Sequence, residues 1–387
     1  MRVLVVQSRG SPFDQGVAIG QSIRAERDAL LDAAWTTIRE AGLCRAYAVR
    51  CAEALSDVLT AHAPEAHAEL LGIAEGAGWP LADAMVYNHW NYITQTPLAP
   101  TFGVPPSGGV AFGVPPLGGV PHTDCTARLA LGSATDTGKP ILAKNKDYPY
   151  RFGAGQHYVH LADSSEGHRF VSYGVKGWVG CDNGVNDAGL CVVLTWVGTP
   201  DRGIGVQSHI LLKVLLRRCA TVADALALLQ GIPRTGLCNY LLVDAAGDAV
   251  VFENAHSAFA IRRPENGRLC CTNHFLSPGI IPRTPEPEPR WPWRHASSRA
   301  RLSRASEMLA AANPVTVETM KAISRDHANG PSALSVCAHG ERQGDSAGSV
   351  GAFIYDAANA RVHVASGHPC EAEYEGFGLS WSGQSGL

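Results

Sequence analysis

The spacing of apolar residues divides the chain into a first part with helical periodicity and a second part with strand periodicity. Residues 13–43, 46–61 and 81–93 carry apolar side chains three or four positions apart, and Pro64 begins a further stretch of this kind. Such spacing places the apolar side chains on one face of a helix. The pattern predicts an all-helical N-terminal region.

Two nearly identical segments separate the two parts. Phe102-Gly-Val-Pro-Pro-Ser-Gly-Gly-Val110 is repeated as Phe112-Gly-Val-Pro-Pro-Leu-Gly-Gly-Val120. Proline and glycine at this density disfavour both a helix and a central strand, and two copies are too few for a solenoid. The repeat therefore predicts a mobile surface loop over residues 102–121.

After Cys125, short apolar runs bounded by turn residues predict strands. The predicted strands cover residues 128–133, 140–145, 158–162, 170–173, 190–196, 239–243, 249–253, 258–262, 268–272, 352–355 and 361–364, with one more around Ser335. Helices are predicted at 207–219, 222–229, 300–312 and 317–325, the second with Thr221 as candidate N-cap. Grouped strands and helices favour an α+β fold in which helices cover antiparallel sheets.

Composition and charge exclude several classes of protein. The chain has 387 residues, of which 45% are hydrophobic and 17% charged, so it can bury a large core. A net charge of −3 without a Lys/Arg run argues against nucleic-acid binding. No stretch approaches the roughly eighteen apolar residues of a membrane span, and residues 1–10 lack a signal-peptide pattern. We therefore expect a cytoplasmic protein that does not bind membranes.

Eleven cysteines form no framework of regular spacing, and no C-x-x-C occurs. Scattered cysteines of this kind are typical of reduced thiols that pack as small apolar residues. The sequence therefore predicts no structural zinc site.

Cys125 is the strongest candidate for chemistry, because it stands where the repeat loop meets the first strand. If its thiol attacked the carbonyl of Asp124, an N-to-S acyl shift followed by hydrolysis would cut the chain there. The new N-terminal cysteine would carry an α-amine with a pKa of about 7.7 to 8.0, which can act as base for the thiol. A buried strand cysteine without chemistry is the alternative, and spacing alone favours it.

Nine short stretches give the sequence a family resemblance. They are GSPFDQG at 10–16, DCT at 124–126, AKNKD at 143–147, GVNDAGL at 184–190, CNY at 238–240, TNHF at 272–275, RDHA at 325–328, SVCAH at 335–339 and PCE at 369–371. In this order they resemble the autoproteolytic cysteine family that includes fungal acyl-coenzyme A:6-aminopenicillanic acid acyltransferase, among the N-terminal nucleophile (Ntn) hydrolases. The resemblance implies a four-layer αββα sandwich of two antiparallel sheets, with the N-terminal helical segment against it.

The resemblance also assigns three catalytic roles. Cys125 matches the nucleophile, and Asp147 matches the acidic residue that orients the nucleophile's amine and assists chain cleavage. Asn273 matches the asparagine whose side-chain amide helps to form the oxyanion hole. From the residues alone, Asp147 and Asn273 would each be a turn residue at the end of a strand.

Further residues are expected near the substrate. Thr195 or Trp196, on the strand after Asn186, are expected to line the pocket, whereas Asn186 itself is expected mainly to shape its turn. The resemblance also places Ser335 and Ala338 at the substrate. Many members have an arginine where this chain has Ala338, so an uncharged pocket is expected there.

His327 belongs to the stretch RDHA at 325–328. The resemblance places it with Asp326 at the end of a helix, so we interpret His327 as structural.

The resemblance implies a function together with a division of the chain. Cleavage between Asp124 and Cys125 would give a helical segment 1–124, containing the loop 102–121, and a catalytic domain 125–387 that stay associated. The enzyme would break or form amide bonds of small N-acyl compounds through a Cys125 thioester. No metal or redox cofactor is implied, although acyl-coenzyme A is a candidate acyl donor.

Three questions stay open at this point. The substrates are expected to be small amides, amines or acyl thioesters, and the enzyme could instead hydrolyse bile-salt or N-acyl amino-acid amides. A non-catalytic binding or scaffold protein is the alternative of a different class. A homo-oligomer is compatible with the sequence, which does not decide it.

Overall fold

The computed structural model describes residues 2–94, 124–150, 155–199, 201–283, 292–342 and 345–379. The repeat loop predicted at 102–121 lies outside these ranges. The helices are α1 (Pro12–Ser22), α2 (Arg27–Glu40), α3 (Arg45–His62), α4 (Pro64–Ala77), α5 (Leu81–Ile93), α6 (Ser208–Arg218), α7 (Val222–Gly231), α8 (Pro292–Ala311) and α9 (Val317–Ser324).

The strands form two sheets. They are β1 (Leu4–Gly10), β2 (Asp124–Ala130), β3 (Ile141–Pro149), β4 (His157–Ser164), β5 (Phe170–Val175), β6 (Asn183–Asn186), β7 (Cys191–Trp196), β8 (Cys238–Val243), β9 (Ala249–Asn254), β10 (Phe259–Arg262), β11 (Arg268–Cys271), β12 (Glu341–Arg342), β13 (Asp345–Asp356), β14 (Arg361–Ser366) and β15 (Tyr374–Gly378). Sheet A has the order β1-β4-β5-β6-β7-β8-β9-β10, and sheet B has the order β11-β2-β3-β13-β14-β15 with β12 beside β13.

The sheets pack face to face, and helices cover their outer faces. Inward side chains such as Val193 and Leu241 of sheet A meet Leu129 and Phe353 of sheet B in one apolar core. A second core lies between sheet A and helices α1 to α7, and a third lies between sheet B and helices α8 and α9. The predicted four-layer αββα sandwich is confirmed.

Several local predictions need correction. The N-terminal region is not entirely helical, because β1 pairs with β4, and this pairing is parallel. Strand β1 lies at the edge of sheet A, beside β4, and its alternating burial is a pattern too short to stand out in the sequence. Residues 183–186 form strand β6, and the turn that Asn186 was expected to shape follows at residues 187–188, where the Asn186 side-chain oxygen accepts the Leu190 N–H at 3.0 Å. No strand forms around Ser335, where the chain makes turns.

Local signals explain where helices begin. Ser11 caps α1, and Thr221 caps α7 as predicted, each in a capping box with an aspartate three residues later. Among the described helices, none combines the length and the apolar composition that a membrane crossing requires.

Helices α1 and α4 touch backbone to backbone through glycines spaced four residues apart. Gly16 and Gly20 of α1 face Gly72 and Gly76 of α4, and a Cβ atom on any of them would overlap a backbone carbonyl of the other helix. Small residues permit this approach, which brings buried Glu69 of α4 to Lys213 and Arg217 of α6. The glycines therefore fix how the N-terminal helices meet sheet A.

We expect Gly72→Ala to lower the free energy of unfolding by about 1–3 kcal/mol, because the added methyl group must displace the Phe13 carbonyl. Gly231→Ala is the control, since that helical glycine has open space around its Cβ position. It should leave stability unchanged or raise it by up to about 1 kcal/mol. Urea unfolding of both variants is the measurement, and equal stabilities would contradict the close packing.

Candidate active site

Cys125 lies near the start of β2, and the alternation of that strand decides what its thiol faces. Cys125 is paired with Lys146 of β3, and Ala127 is paired with Lys144. Directly paired residues point to the same side of a sheet, and Ala127 belongs to the core between the sheets. The thiol and both lysines therefore point toward sheet A.

The two lysines share one buried acid. Lys146 forms an ion pair with Asp182, and the Lys144 ammonium donates to the Asp182 carbonyl at 3.3 Å. Burial by itself would raise the pKa of Asp182, but Lys146 and Lys144 outweigh it and hold this pKa well below its usual range. Burial lowers the pKa of Lys146, which Asp182 opposes.

The thiol is buried beside this group of charges. Burial raises the pKa of Cys125, and Asp147 and Asp182 add to the rise, whereas Lys144 and Lys146 oppose it. In the intact chain Cys125 is therefore a protonated thiol at neutral pH. Activation of the thiol therefore requires a base that accepts its proton.

The opposite face of β2 carries the carboxylates. Asp124 and Asp147 are directly paired across β2 and β3, and both side chains are fully buried. Ser349 of β13 donates its hydroxyl to Asp147 at 2.6 Å and accepts the backbone N–H of Ala338 at 2.9 Å. Asp147 is thus held beside Asp124 by a side chain that the sequence analysis did not identify.

Arg301 of α8 supplies a fully buried cation to this face. Its guanidinium donates to the Cys125 carbonyl at 2.7 Å and to the Asn273 side-chain oxygen at 2.9 Å. It also lies 3.8 Å from the carboxylate of Asp124 and 3.9 Å from that of Asp147. One side chain therefore contacts the residues on both sides of the expected cleavage point.

Asn273 holds the backbone of the nucleophile. Its side-chain oxygen accepts the N–H of Cys125 at 3.0 Å, and its amide donates to the Trp196 carbonyl at 2.7 Å. In the intact chain its amide is therefore engaged, and its oxyanion role stays a prediction. The placement of Asn273 next to Cys125, which the resemblance implied, is found in the geometry.

Thr195 supports Asn273 through the residue that precedes it. Its hydroxyl donates to the Thr272 carbonyl at 2.6 Å, and Asn239 donates to the same carbonyl at 3.0 Å. Thr195 is fully buried, so it acts on the segment that carries Asn273.

Trp196 lines a cleft between the sheet ends and the helices. The cleft is also bordered by Lys146, Tyr148, Asp182 and His209, among others. Burial lowers the pKa of His209 to about 4, so this imidazole is neutral at neutral pH. The cleft therefore borders Lys146 and Asp182, which lie on the thiol side of Cys125.

The remaining predicted residues have structural contacts. The Asn186 amide donates to the carbonyls of Leu216 and Cys219 at the end of α6, so it joins the sheet to that helix. Ser335 donates to the Gly330 carbonyl within its own turn. Ala338 contacts Ser349 through its backbone, one step from Asp147. The charged groups near Cys125 are Arg301 at its backbone carbonyl and Lys144 and Lys146 on its thiol side, and the uncharged pocket expected at Ala338 stays a prediction.

The sequence offered one signal for the missed residues. In Ala143-Lys-Asn-Lys-Asp147 the alternation of a strand places both lysines on one face and Asp147 on the other. The resemblance assigns a role only to Asp147 in this stretch, although the alternation also places the two lysines side by side. Nothing in the pattern of α8 distinguished Arg301 from its neighbouring arginines.

The chain matches the family model of acyl-coenzyme A:6-aminopenicillanic acid acyl-transferase over residues 133–371, which is more than half of the 387 residues. The match includes Asp147 and Asn273 and begins after Cys125. A search of curated protein sequences gives no match.

Three solved structures are similar at low identity. Penicillin V acylase from Agrobacterium tumefaciens has 16% identity and a TM-score of 0.40, covering 62% of this chain and 83% of its own. A variant of conjugated bile acid hydrolase from Clostridium perfringens has 10% identity and a TM-score of 0.39, covering 66% and 97%. The Caenorhabditis elegans orthologue of N-acylethanolamine-hydrolyzing acid amidase has 13% identity and a TM-score of 0.41, covering 66% and 100%.

We expect Arg301→Gln to lower the free energy of unfolding by about 3–5 kcal/mol, because it leaves two buried carboxylates without their cation. Arg299→Gln on the same helix is the matched control: Arg299 is exposed, so its loss should change stability by at most about 0.5 kcal/mol. Urea unfolding measures both. A small effect at Arg301 would mean that the carboxylates are neutral or compensated elsewhere.

Proposed function

Because the chain belongs to the acyl-coenzyme A:6-aminopenicillanic acid acyl-transferase family, we propose that it is a self-processing cysteine acyltransferase or amidohydrolase. Cys125 is its proposed nucleophile, and small N-acyl compounds are its proposed substrates. The observation that carries the proposal is the arrangement around Cys125. Its N–H is held by Asn273 and its carbonyl by Arg301, and two lysines lie on its thiol side.

Self-cleavage is the first proposed step. The Cys125 sulfur attacks the carbonyl carbon of Asp124, the peptide C–N bond breaks, and the nitrogen takes the thiol proton. The product is a thioester with a free α-amine. Water then hydrolyses the thioester, which restores the thiol and leaves the Asp124 α-carboxylate. Arg301 lies within 4 Å of Asp124 and Asp147 and fixes the Cys125 backbone during this step.

The free α-amine of Cys125 then supplies the base for the thiol. With a pKa of about 7.7 to 8.0, it accepts the thiol proton near neutral pH. The Asn273 oxygen, which holds this nitrogen in the intact chain, orients it toward the thiol. Lys144 and Lys146 favour the resulting thiolate electrostatically.

Acyl transfer follows from these groups. The thiolate attacks the acyl carbonyl of the substrate, the leaving group takes the proton from the amine, and a thioester remains on Cys125. Water as acceptor gives hydrolysis, and an amine as acceptor gives a new amide. The residues themselves carry each proton, so the scheme requires no metal or redox cofactor, and acyl-coenzyme A would serve as an alternative donor.

An apolar cavity next to the cleft suits the acyl group. Tyr148 and Trp178 border both the cleft and this second cavity. The rest of its wall is mainly apolar and comes from α2, α5 and β5, with Leu30, Ala33, Ala34, Tyr87, Trp90 and Val175. We propose that the N-terminal helices bind the acyl chain while the cleft binds the amine part.

The alternatives of the sequence analysis can be ranked. A bile-salt or N-acyl amino-acid amide would use the same thioester chemistry, and the apolar cavity is compatible with either. The non-catalytic alternative depended on the missing arginine at Ala338. We favour a catalytic function, which the hydrogen bonds of Asn273 and Arg301 to the Cys125 backbone support.

Self-cleavage is tested by intact mass and a denaturing gel. Wild-type protein should give pieces of 124 and 263 residues that co-purify, the larger beginning at Cys125. Cys125→Ala should remain one chain, whereas the control Cys271→Ala, a buried cysteine on β11, should still cleave. Uncleaved wild-type protein with full activity would exclude the N-terminal cysteine mechanism.

The acyl cavity is tested by filling it. Ala33→Phe should lower kcat/KM for a decanoyl 4-nitroanilide at least roughly tenfold relative to an acetyl 4-nitroanilide, because only the long chain needs the space. Thr36→Phe, on the exposed face of the same helix, is the control and should leave the ratio unchanged. An unchanged ratio in both variants would place the acyl group elsewhere.

A further inference from the structure

Four side chains with metal-binding atoms meet near the C-terminal end of α9. His327 follows α9, Cys337 and His339 lie in the turns before β12, and Cys370 lies between β14 and β15. One nitrogen or sulfur atom from each lies within 4.8 Å of all the others. We propose that these residues form a structural zinc site of the Cys2His2 type.

The measured separations fit tetrahedral zinc. Nε2 of His339 lies 3.5 Å from the Cys337 sulfur and 3.4 Å from the Cys370 sulfur. Zinc bonds of about 2.3 Å to sulfur and about 2.0–2.1 Å to nitrogen, at a tetrahedral angle, separate the two ligand atoms by about 3.5 Å. The imidazole is therefore already where one zinc ion would hold it relative to both sulfurs.

His327 provides the fourth ligand. Its Nε2 atom is buried and has no hydrogen-bond partner among the described residues. A buried polar nitrogen left unsatisfied is costly, and a metal bond would satisfy it. The His327 ring lies edge-on to the His339 ring, with centroids 4.8 Å apart. One ring nitrogen of His327 lies within 4.8 Å of the ligand atoms of the other three residues.

The ligand set matches a structural site in chemistry as well as in number. Four protein ligands leave no open position for substrate, which distinguishes structural from catalytic zinc. Binding of Zn²⁺ to two thiolates and two neutral imidazoles releases two thiol protons and gives a site of zero net charge. Zero net charge suits a site whose residues are buried or half-buried.

The backbone around the ligands is fixed independently. The Cys337 N–H donates to the Asp326 carbonyl at 3.1 Å, which ties the segment of His327 to that of Cys337. The His339 N–H donates to the Ser332 carbonyl at 3.2 Å. These bonds hold the segment of His327 next to the segment of Cys337 and His339. The metal would attach the third segment through Cys370.

The site is connected to the candidate active site. Ala338 lies between two zinc ligands, and its N–H donates to Ser349, which donates to Asp147. Zinc would therefore hold the segment that positions Asp147, as a support and without contact to substrate.

The test measures metal in the purified full-length enzyme after growth with added zinc and exhaustive dialysis. Elemental analysis should find about one zinc per chain in wild-type protein and in uncleaved Cys125→Ala. Cys370→Ser and His327→Gln should lose most of the zinc. Cys44→Ser, which changes an exposed cysteine, should retain it. Because Cys125→Ala is included, the readout is independent of the proposed acyl transfer.

Cobalt gives a second readout that does not depend on variant folding. Wild-type protein stripped with a chelator and reloaded with Co²⁺ should show thiolate-to-cobalt charge-transfer bands and the absorption of tetrahedral cobalt. No zinc and no cobalt spectrum in folded wild-type protein would overturn the proposal. So would an intact mass showing a Cys337–Cys370 disulfide, or full metal content in Cys370→Ser.

Discussion

The candidate active site depends on the ion pairs and hydrogen bonds of the buried Arg301 guanidinium. A fully buried cation is tolerated only where anions and acceptors surround it, and here they are Asp124, Asp147, the Cys125 carbonyl and the Asn273 oxygen. The two buried carboxylates in turn require the positive charge of the guanidinium, because a buried anion is also costly without a nearby cation. Helix α8 is thereby tied to β2 and β3, and the residues around the expected cleavage point share one charge-balanced cluster.

Strand alternation separates this cluster from the thiol. Successive residues of β2 point to opposite faces, so Asp124 faces the helices and Cys125 faces sheet A. Arg301, which lies beside the carboxylates, consequently holds the backbone carbonyl of Cys125, while Lys144, Lys146 and Asp182 influence the pKa of its thiol. A single strand thus separates the groups beside the backbone of Cys125 from those beside its thiol.

The site is also supported from its periphery. Thr195 and Asn239 hold the segment that carries Asn273, and Ser349 holds Asp147. Two ligands of the proposed zinc site, Cys337 and His339, flank Ala338, whose N–H donates to Ser349. Ala338, where many family members are expected to have an arginine, supports Asp147 through its backbone N–H to Ser349.

The sequence determined the local structure and the residue types. Helical and strand periodicity and capping residues predicted an α+β fold. The resemblance carried by the nine short stretches implied the αββα sandwich and singled out Cys125, Asp147 and Asn273, because these signals lie within a few consecutive residues. The sequence failed where contacts join distant segments. Strand β1 gains its place only by pairing with β4, Arg301 reaches Cys125 across 176 positions, and His327, Cys337, His339 and Cys370 lack any short metal-binding spacing. Only tertiary packing brings such residues together, since a buried charge or an unsatisfied imidazole is compensated by neighbours in space rather than in sequence.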